Sequence, residues 1–306
     1  MIVANCLEYF HRLTDFLYTL CMEFDLEVPK VRYVVAVSGG VDSVVLLDLL
    51  AKLPDLELTV AHFDHGIRDD SHLDEKLVYD LAKKYGLQFE SKREDLGKNA
   101  SEELARDRRY AFLRSVMQKY DAKLITAHHS DDVIESIVIN LSRGTGWRGL
   151  AVLDSDVIRP MTKFSKSEIL EYAKNNNLIW HEDSTNASDD YLRNRFRRKL
   201  DGFDNDKKRQ LLALWSQQKQ LKKQIDNEVS NIISDTTEYS RYFFINIVQS
   251  IAIEILRAMT KKLLTRPQIE NLLIAIKTLP SGKKYTAGCG IEINFTTRFF
   301  TIKLIK

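Results

Sequence analysis

Residues 33–50 read YVVAVSGGVDSVVLLDLL, an apolar run, a Ser-Gly-Gly interruption and a second apolar run. A short run of this kind bounded by a turn suits a strand buried on both faces, and the longer run after it suits a helix packed on that strand. The turn between them is built for an anion. Gly39 and Gly40 let the backbone bend and come close to a ligand. Ser38 and Ser43 add hydroxyls, and the amides of the helix start, from Val41 on, point outward with the positive end of the helix dipole. Asp42 is the odd residue in this cradle. A carboxylate repels phosphate, so a bound Mg²⁺ or a proton-handling task accounts for it. The plainer reading is a glycine turn capped by serine and aspartate. No Gly-Lys-Ser/Thr follows, so the Walker pattern is absent.

The chain has 306 residues and 44% hydrophobic content, enough for one large or two ordinary domains with a packed core. No run of about 18 apolar residues appears, and the N-terminus lacks the basic start and small-residue cleavage site of a secretion signal. A cytoplasmic protein with no membrane association is expected. Cys6, Cys21 and Cys289 lie far apart, which suggests neither a disulfide framework nor a thiolate metal site. The net charge of +2 conceals a division: residues 1–192 hold 23 Lys/Arg and 33 Asp/Glu, and residues 193–306 hold the remaining 22 and 10. The second part suits a polyanion, although a solvated helical face is the usual origin of such charge.

Residues 1–30 carry Leu7, Phe10, Leu13, Phe16, Leu17 and Leu20 at helical spacing. A second strand, expected over residues 58–63, follows the first after a helix and gives the βαβ order of a parallel, doubly wound sheet, in which ligands sit at the carboxyl ends of strands. It ends in AHFDHGIR; His62 and Asp64 share a face while His65 begins a loop, which weakens a metal reading. A polar helix over residues 70–85, a strand near 88–92 and a helix opened by Ser101 come next. On that helix Arg106 and Arg109 lie on one face.

A further strand, expected over residues 123–127, runs into His128-His129-Ser130-Asp131-Asp132-Val133-Ile134-Glu135. Asp132 and Glu135 stand three apart at a helix start, so they point to one side and can hold a cation or an amine. An N-capped helix, with Ser130 or Asp131 as the cap, explains one or two of the acids. It does not explain two histidines and three carboxylates at a strand end beside an anion loop. The glycine-rich RGTGWRG that follows serves either as a helix C-cap or as a ligand loop.

SGGVDS resembles the signature of the PP-loop ATP pyrophosphatases, which cleave ATP between the α and β phosphates and adenylate a substrate. HHSDDVIES, INLSRGTGWRGLAVL, IRPMTKFSKSEILEYAKNNNLIWHEDSTN and YLRNRFR resemble segments of the tRNA(Ile)-lysidine synthases within that superfamily, across about residues 30–200. AHFDHGIR is similar to a stretch that lines their nucleotide pocket. Ser136 and Met161 depart from the usual threonine and leucine.

The resemblance implies a chain that uses ATP and Mg²⁺ to join free L-lysine to carbon 2 of the wobble cytidine of a CAU-anticodon tRNA(Ile). It implies ATP contacts at Ser38, Gly39, Gly40, Val41, Asp42 and Ser43, with Arg143, Gly144 and Gly146 beside them. Asp42, Arg109, His128, Asp132 and Glu135 are the expected catalytic residues, Arg109 because it matches an active-site arginine of the family. Asp42 is the expected Mg²⁺ partner.

The fold expected is α/β, a doubly wound parallel sheet over residues 1–200, followed by a smaller basic, mainly helical domain over 207–306 that ends in a short β-hairpin or meander. RNRFRRK, with Arg193, Arg195, Arg197 and Arg198 around one aromatic, suits tRNA. Helices are expected over residues 207–233, 247–263 and, capped by Thr265 and Pro267, onward from 266. Longer family members carry a further C-terminal domain, so the chain resembles the compact form; homodimer formation stays open. Two other readings stand beside this one: a tRNA-thiolation enzyme, which the scattered cysteines disfavour, and a non-catalytic ATP- and RNA-binding module.

Overall fold

The computed structural model describes residues 26, 28–66, 71–97, 100–182, 203–233 and 238–305. The helical spacing of residues 7–20 and the arginine cluster at 193–198 therefore lie outside the described residues. Two compact units divide the chain, Met1–Ser216 and Gln217–Lys306.

The first unit is built on four parallel strands, β1 (Arg32–Ala36), β2 (Glu57–Asp64), β3 (Gln88–Arg93) and β4 (Lys123–Ile125), in the order β3-β2-β1-β4. Val34 pairs with Thr59 on one side and Leu124 on the other, so the carboxyl ends of β1 and β4 emerge together. Ile158 extends this edge: Thr126 N–H donates to its carbonyl at 3.0 Å and its own N–H donates to Leu124 at 2.9 Å.

Helices cover both faces. Tyr33 and Val35 pack with α1 (Val41–Ala51), α2 (Ser71–Lys84) and a later helix, α5 (Lys166–Asn175), through Val45, Leu46, Val78 and Ile169. Val34, on the opposite face, packs with α3 (Glu102–Tyr120) through Phe112, Leu113 and Val116. This alternation along β1, apolar on both sides, is why the strand reads as a continuous hydrophobic run. After β4 comes α4 (Ser130–Ser142), whose Val133 and Ile137 pack with Val152 and, from the long α6 (Asn205–Ile232), Leu211, Leu212 and Trp215.

α1 is buried nearly all round, and one of its buried residues is an acid. Asp48 accepts hydrogen bonds from Tyr85 at 2.6 Å, Tyr172 at 2.7 Å and Lys52 at 2.7 Å. Burial pushes its carboxyl up, but those three donors outweigh it and hold the group below the usual carboxylate range. Lys52 also reaches Asn176 at 3.3 Å, so the cluster ties α5 to α1.

In the second unit β5 (Tyr239–Ser240) leads into α7 (Arg241–Asn246), α8 (Gln249–Met259) and α9 (Arg266–Thr278), and then β6 (Lys284–Gly288), β7 (Ile291–Phe295) and β8 (Phe299–Leu304). The strands form an antiparallel sheet in the order β5-β8-β7-β6, one strand more than the expected meander. The expected helix over 247–263 is shorter, because Val248 is a non-helical N-cap, with φ −57° and ψ 133°, and Lys261 and Lys262 take positive φ. Thr265 caps α9 and Pro267 opens it, as the sequence predicts. Arg241, buried, donates to the carbonyls of Ile276, Leu279 and Thr296 and so fastens α7 to the end of α9. Among the described residues no helix is long and apolar enough to cross a membrane.

Because Asp48 is the common acceptor for Tyr85, Tyr172 and Lys52, Asp48→Ala should cost about 2–4 kcal/mol in chemical denaturation, the range for breaking a buried charged hydrogen-bond network. Asp48→Asn, which keeps one acceptor, should recover part of it. An unchanged midpoint for Asp48→Ala would contradict this role.

Candidate active site

Between β1 and α1 the chain turns through Ser38, Gly39 and Gly40. Ser38 N–H donates to Ser43 Oγ at 3.1 Å, and Ser43 Oγ–H donates to Gly40 O at 2.8 Å, so the serines hold the loop in shape. Gly40 is the extended N-cap of α1, with φ −75°. Gly39 has φ +95°, and a Cβ there would sit 3.3 Å from Asp74 Cβ. Glycine is thus required twice over, by conformation and by space. The loop is also held from outside: His181 N–H donates to Gly39 O at 3.0 Å, and His181 Nδ1 lies 2.7 Å from Asp74 Oδ1.

The second wall comes from the end of β4. The strand stops at Ile125, two residues short of the expected end, and α4 is capped by His129 rather than Ser130 or Asp131. The reason is the reciprocal arm of a capping box: the Asp132 carboxylate, at the third helical position, accepts the His129 N–H at 2.9 Å. Asp131 is thereby released to another task. Its Oδ2 accepts the backbone N–H of Lys166 at 2.8 Å, and its Oδ1 accepts Lys208 Nζ at 3.0 Å. Burial raises the Asp131 carboxyl, and those two donors together with His129 bring it below its ordinary range.

The two walls meet at His129. Its Nε2 lies 3.9 Å from Asp42 Oδ1 and 3.5 Å from Asp132 Oδ2. The glycine loop and the acids of α4 therefore form one site, as the parallel pairing of β1 and β4 demands. Glu135 is one turn further along α4, on the same side as Asp132, and is only 2% exposed. Asp42 also receives Lys166 Nζ at 2.6 Å. His129 belongs to the histidine pair the sequence singles out, but Lys166 and His181 are not singled out there, and their contacts with Asp42 and Gly39 cross more than a hundred residues of chain without a local pattern that announces them.

His128 sits beside this group. Its Nδ1 is 2.9 Å from Thr126 Oγ1. Burial pulls its pKa down to about 4, Asp132 opposes the shift, and the charges of Arg159, Arg109 and Arg106 add to it. At neutral pH the imidazole is uncharged, and the same influences show that Arg109 and Arg106 bear on His128. Both arginines lie over Tyr110, 5.8 and 5.0 Å from its ring.

The glycine-rich segment after α4 has a structural explanation for one of its glycines. Gly144, at φ +68°, donates to Leu141 O at 3.0 Å, and Thr145 N–H donates to Asn140 O at 3.2 Å, the paired bonds of a Schellman C-cap. Arg143 is the C-cap residue, and Gly146 is the extended residue before the 3-10 turn Trp147–Leu150. His62, a candidate ligand in the sequence, is buried with Nδ1 2.9 Å from Val37 O, and Asp64 accepts from Gly66 N–H and Ser71 Oγ–H.

A glycine loop between a parallel strand and a buried helix, with an acid at the second helical position and a second acid-bearing helix at the neighbouring strand end, defines a nucleotide-type site at the switch point of the sheet. A PP-loop domain model matches residues 11–201, more than half of the chain, and the chain belongs to the PP-loop family. Within it, the chain is similar to tRNA(Ile)-lysidine synthase of Exiguobacterium sibiricum, 38% identical over 187 residues that cover 58% of this chain and 45% of that protein. It is likewise similar to tRNA(Ile)-lysidine synthase of Thermotoga maritima, 39% identical over 180 residues, 54% of this chain and 43% of that protein. The chain thus matches somewhat under half the length of these curated relatives. A solved U34-tRNA thiolase of Methanococcus maripaludis superposes with a TM-score of 0.57 at 18% identity, over 68% of this chain and 80% of that one, which shows a shared fold.

Folding favours neutral His128, so its stabilising contribution is complete above its unfolded pKa near 6.5 and is lost as pH falls toward about 4. His128→Gln should flatten the unfolding free energy across that window, by on the order of 2 kcal/mol; an unchanged slope would contradict the burial of the ring. Gly39→Ala should cost about 1–3 kcal/mol in thermal or chemical unfolding, from positive φ and the Asp74 contact together. A wild-type midpoint would show that the loop relaxes around the methyl group.

Proposed function

We propose that this chain ligates L-lysine to carbon 2 of the wobble cytidine of a CAU-anticodon tRNA(Ile) at the expense of ATP, giving lysidine, AMP and pyrophosphate. The observation that carries the reading is His129 within 4 Å of both Asp42 on the glycine loop and Asp132 on α4. One site then serves a nucleotide and an amine. The similarity to enzymes named tRNA(Ile)-lysidine synthase supports the choice of substrates.

Two chemical demands follow. The cytosine oxygen must be adenylated, which places charge on the α-phosphate and the departing pyrophosphate. The amides at the start of α1 are suited to bear that charge, and Arg109 and neutral His128 are suited to donate to it. The lysine amine must then lose a proton, because its solution pKa of about 10.4 leaves it cationic near neutrality. Asp132 and Glu135 are the groups proposed to hold and deprotonate it, and attack at carbon 2 then expels AMP.

Mg²⁺ would neutralise phosphate charge here. Among the described residues no cluster of three or more His, Cys, Asp or Glu is arranged to enclose a metal, so the fit is to an ion held chiefly by phosphate oxygens and water with Asp42 as protein partner. Arg143, Gly144 and Gly146 are proposed to flank the nucleotide, with the Gly144 conformation set by the helix cap. Arg193, Arg195, Arg197 and Arg198 are proposed tRNA contacts, and residues 207–306 a tRNA-binding domain. A thiolation chemistry is disfavoured because the sequence has no Cys-x-x-Cys pair to carry sulfur, and Cys289, the cysteine among the described residues, is free and exposed.

Incubation with ATP, labelled lysine and CAU-anticodon tRNA should place label in the RNA only when ATP is present. Asp42→Asn should lower adenylation about 100-fold or more, whereas Glu135→Gln should leave adenylated tRNA accumulating while lysine incorporation falls by a similar factor. Normal turnover by both variants would sink the site assignment, and no label with the unaltered protein would sink the reaction.

A further inference from the structure

Lys166 is the first residue of α5, and its ammonium meets Asp42 Oδ1 at 2.6 Å across 124 residues of sequence. Its backbone is anchored. Asp131 accepts its N–H at 2.8 Å, and the Asp48 cluster ties the body of α5 to α1 through Tyr172 and Asn176. Its side chain is not. The Lys166 side chain is 40% exposed and that of Asp42 31%, a degree of solvation at which an ion pair adds little to stability and is exchanged at small cost. A rigid base carrying a long, half-solvated cation at the mouth of an anion loop is unexplained by packing.

The loop also presents an electrostatic problem. Asp42 is an acid among amides and hydroxyls suited to phosphate, and its charge must be offset both before and after a polyanion arrives. We propose that Lys166 is a phosphate-binding residue that changes partners: it pairs with Asp42, and it turns to the outer phosphates of the nucleotide when they bind, leaving Asp42 to the cation that accompanies them. The terminal ammonium of a four-carbon stem is suited to this exchange, since it is a point charge with rotatable donors and no fixed fork. The inference rests on reading the loop as a nucleotide site, and adds to it a cation supplied from α5, outside the glycine segment.

Partner exchange makes a prediction of opposite signs. In Lys166→Met, Mn²⁺ alone, followed by electron paramagnetic resonance as a stand-in for Mg²⁺, should bind several-fold more tightly, because Asp42 has lost its competing cation. MgATP should bind about ten- to a hundredfold more weakly, the loss of one charge-assisted contact, while adenosine should stay within about twofold of the unaltered protein. Lys166→Arg, which keeps the charge, should restore most of the MgATP affinity. If ATP and adenosine weaken together, or if Mn²⁺ binding is unchanged or weaker, Lys166 is structural and the proposal fails. If the unaltered protein binds neither ATP nor adenosine, the nucleotide reading itself is overturned, an outcome distinct from the others because it does not involve the variant.

Discussion

The parallel pairing of β1 with β4 is the constraint on which the site depends. Tyr33, Val34 and Val35 lie opposite Lys123, Leu124 and Ile125, so two segments ninety residues apart leave the sheet side by side. Each then turns into a helix, and the first turns of those helices carry Asp42 and Asp132. A slip of one residue in this register would turn every β4 side chain to the other face. Leu124 would then leave the core it shares with Val34 and Phe112, and Ile125 would leave the one it shares with Val35. The packing that fixes the register is the same packing that brings the acids together.

Three polar residues at the start of α4, His129, Asp131 and Asp132, show how a dense group of charges is kept without mutual repulsion. His129 caps the helix, Asp132 closes the capping box, and Asp131, between them, faces the N-terminus of α5 and Lys208. Each carboxylate has its own donors, and helix N-termini favour negative charge at both places. Nearby, His128 stays neutral because it is buried near Arg159, Arg109 and Arg106. Positive and negative groups are thus sorted by depth and by the helix end they face.

Much of this was legible in the sequence, for definable reasons. A strand buried on both faces and a helix buried all round leave apolar runs, and the glycines between them mark a turn with positive φ; β1, Gly39 and α1 follow directly. Periodicity also located α3, and a cap-and-proline signal located α9. The α8 boundary was missed because apolar residues at helical spacing continue past both of its ends, while the non-helical Val248 and the left-handed Lys261 and Lys262 are backbone events without a strong residue signal. His129 as a cap was hidden by better capping residues on its C-terminal side. Lys166 and His181 were hidden for a different reason. Their partners, Asp42 and Gly39, belong to a segment more than a hundred residues earlier, and only the docking of α5 and the chain after it creates the contact.

α1 carries two acids, and the difference between them separates stability from chemistry along a single helix. Asp48 is nearly fully buried and accepts from three donors; a polar group so placed is costly to disturb, and it holds α5 in position. Asp42, almost two turns nearer the loop, is partly exposed, and its ion pair with Lys166 is of the kind that contributes little net energy. Interchanging the two environments would leave a site locked shut and a helix pair held by an exchangeable bond. The buried acid therefore fixes the backbone from which Lys166 extends, and the solvated acid holds that side chain only by a weakly stabilising ion pair, so the same residue type serves two ends at two depths.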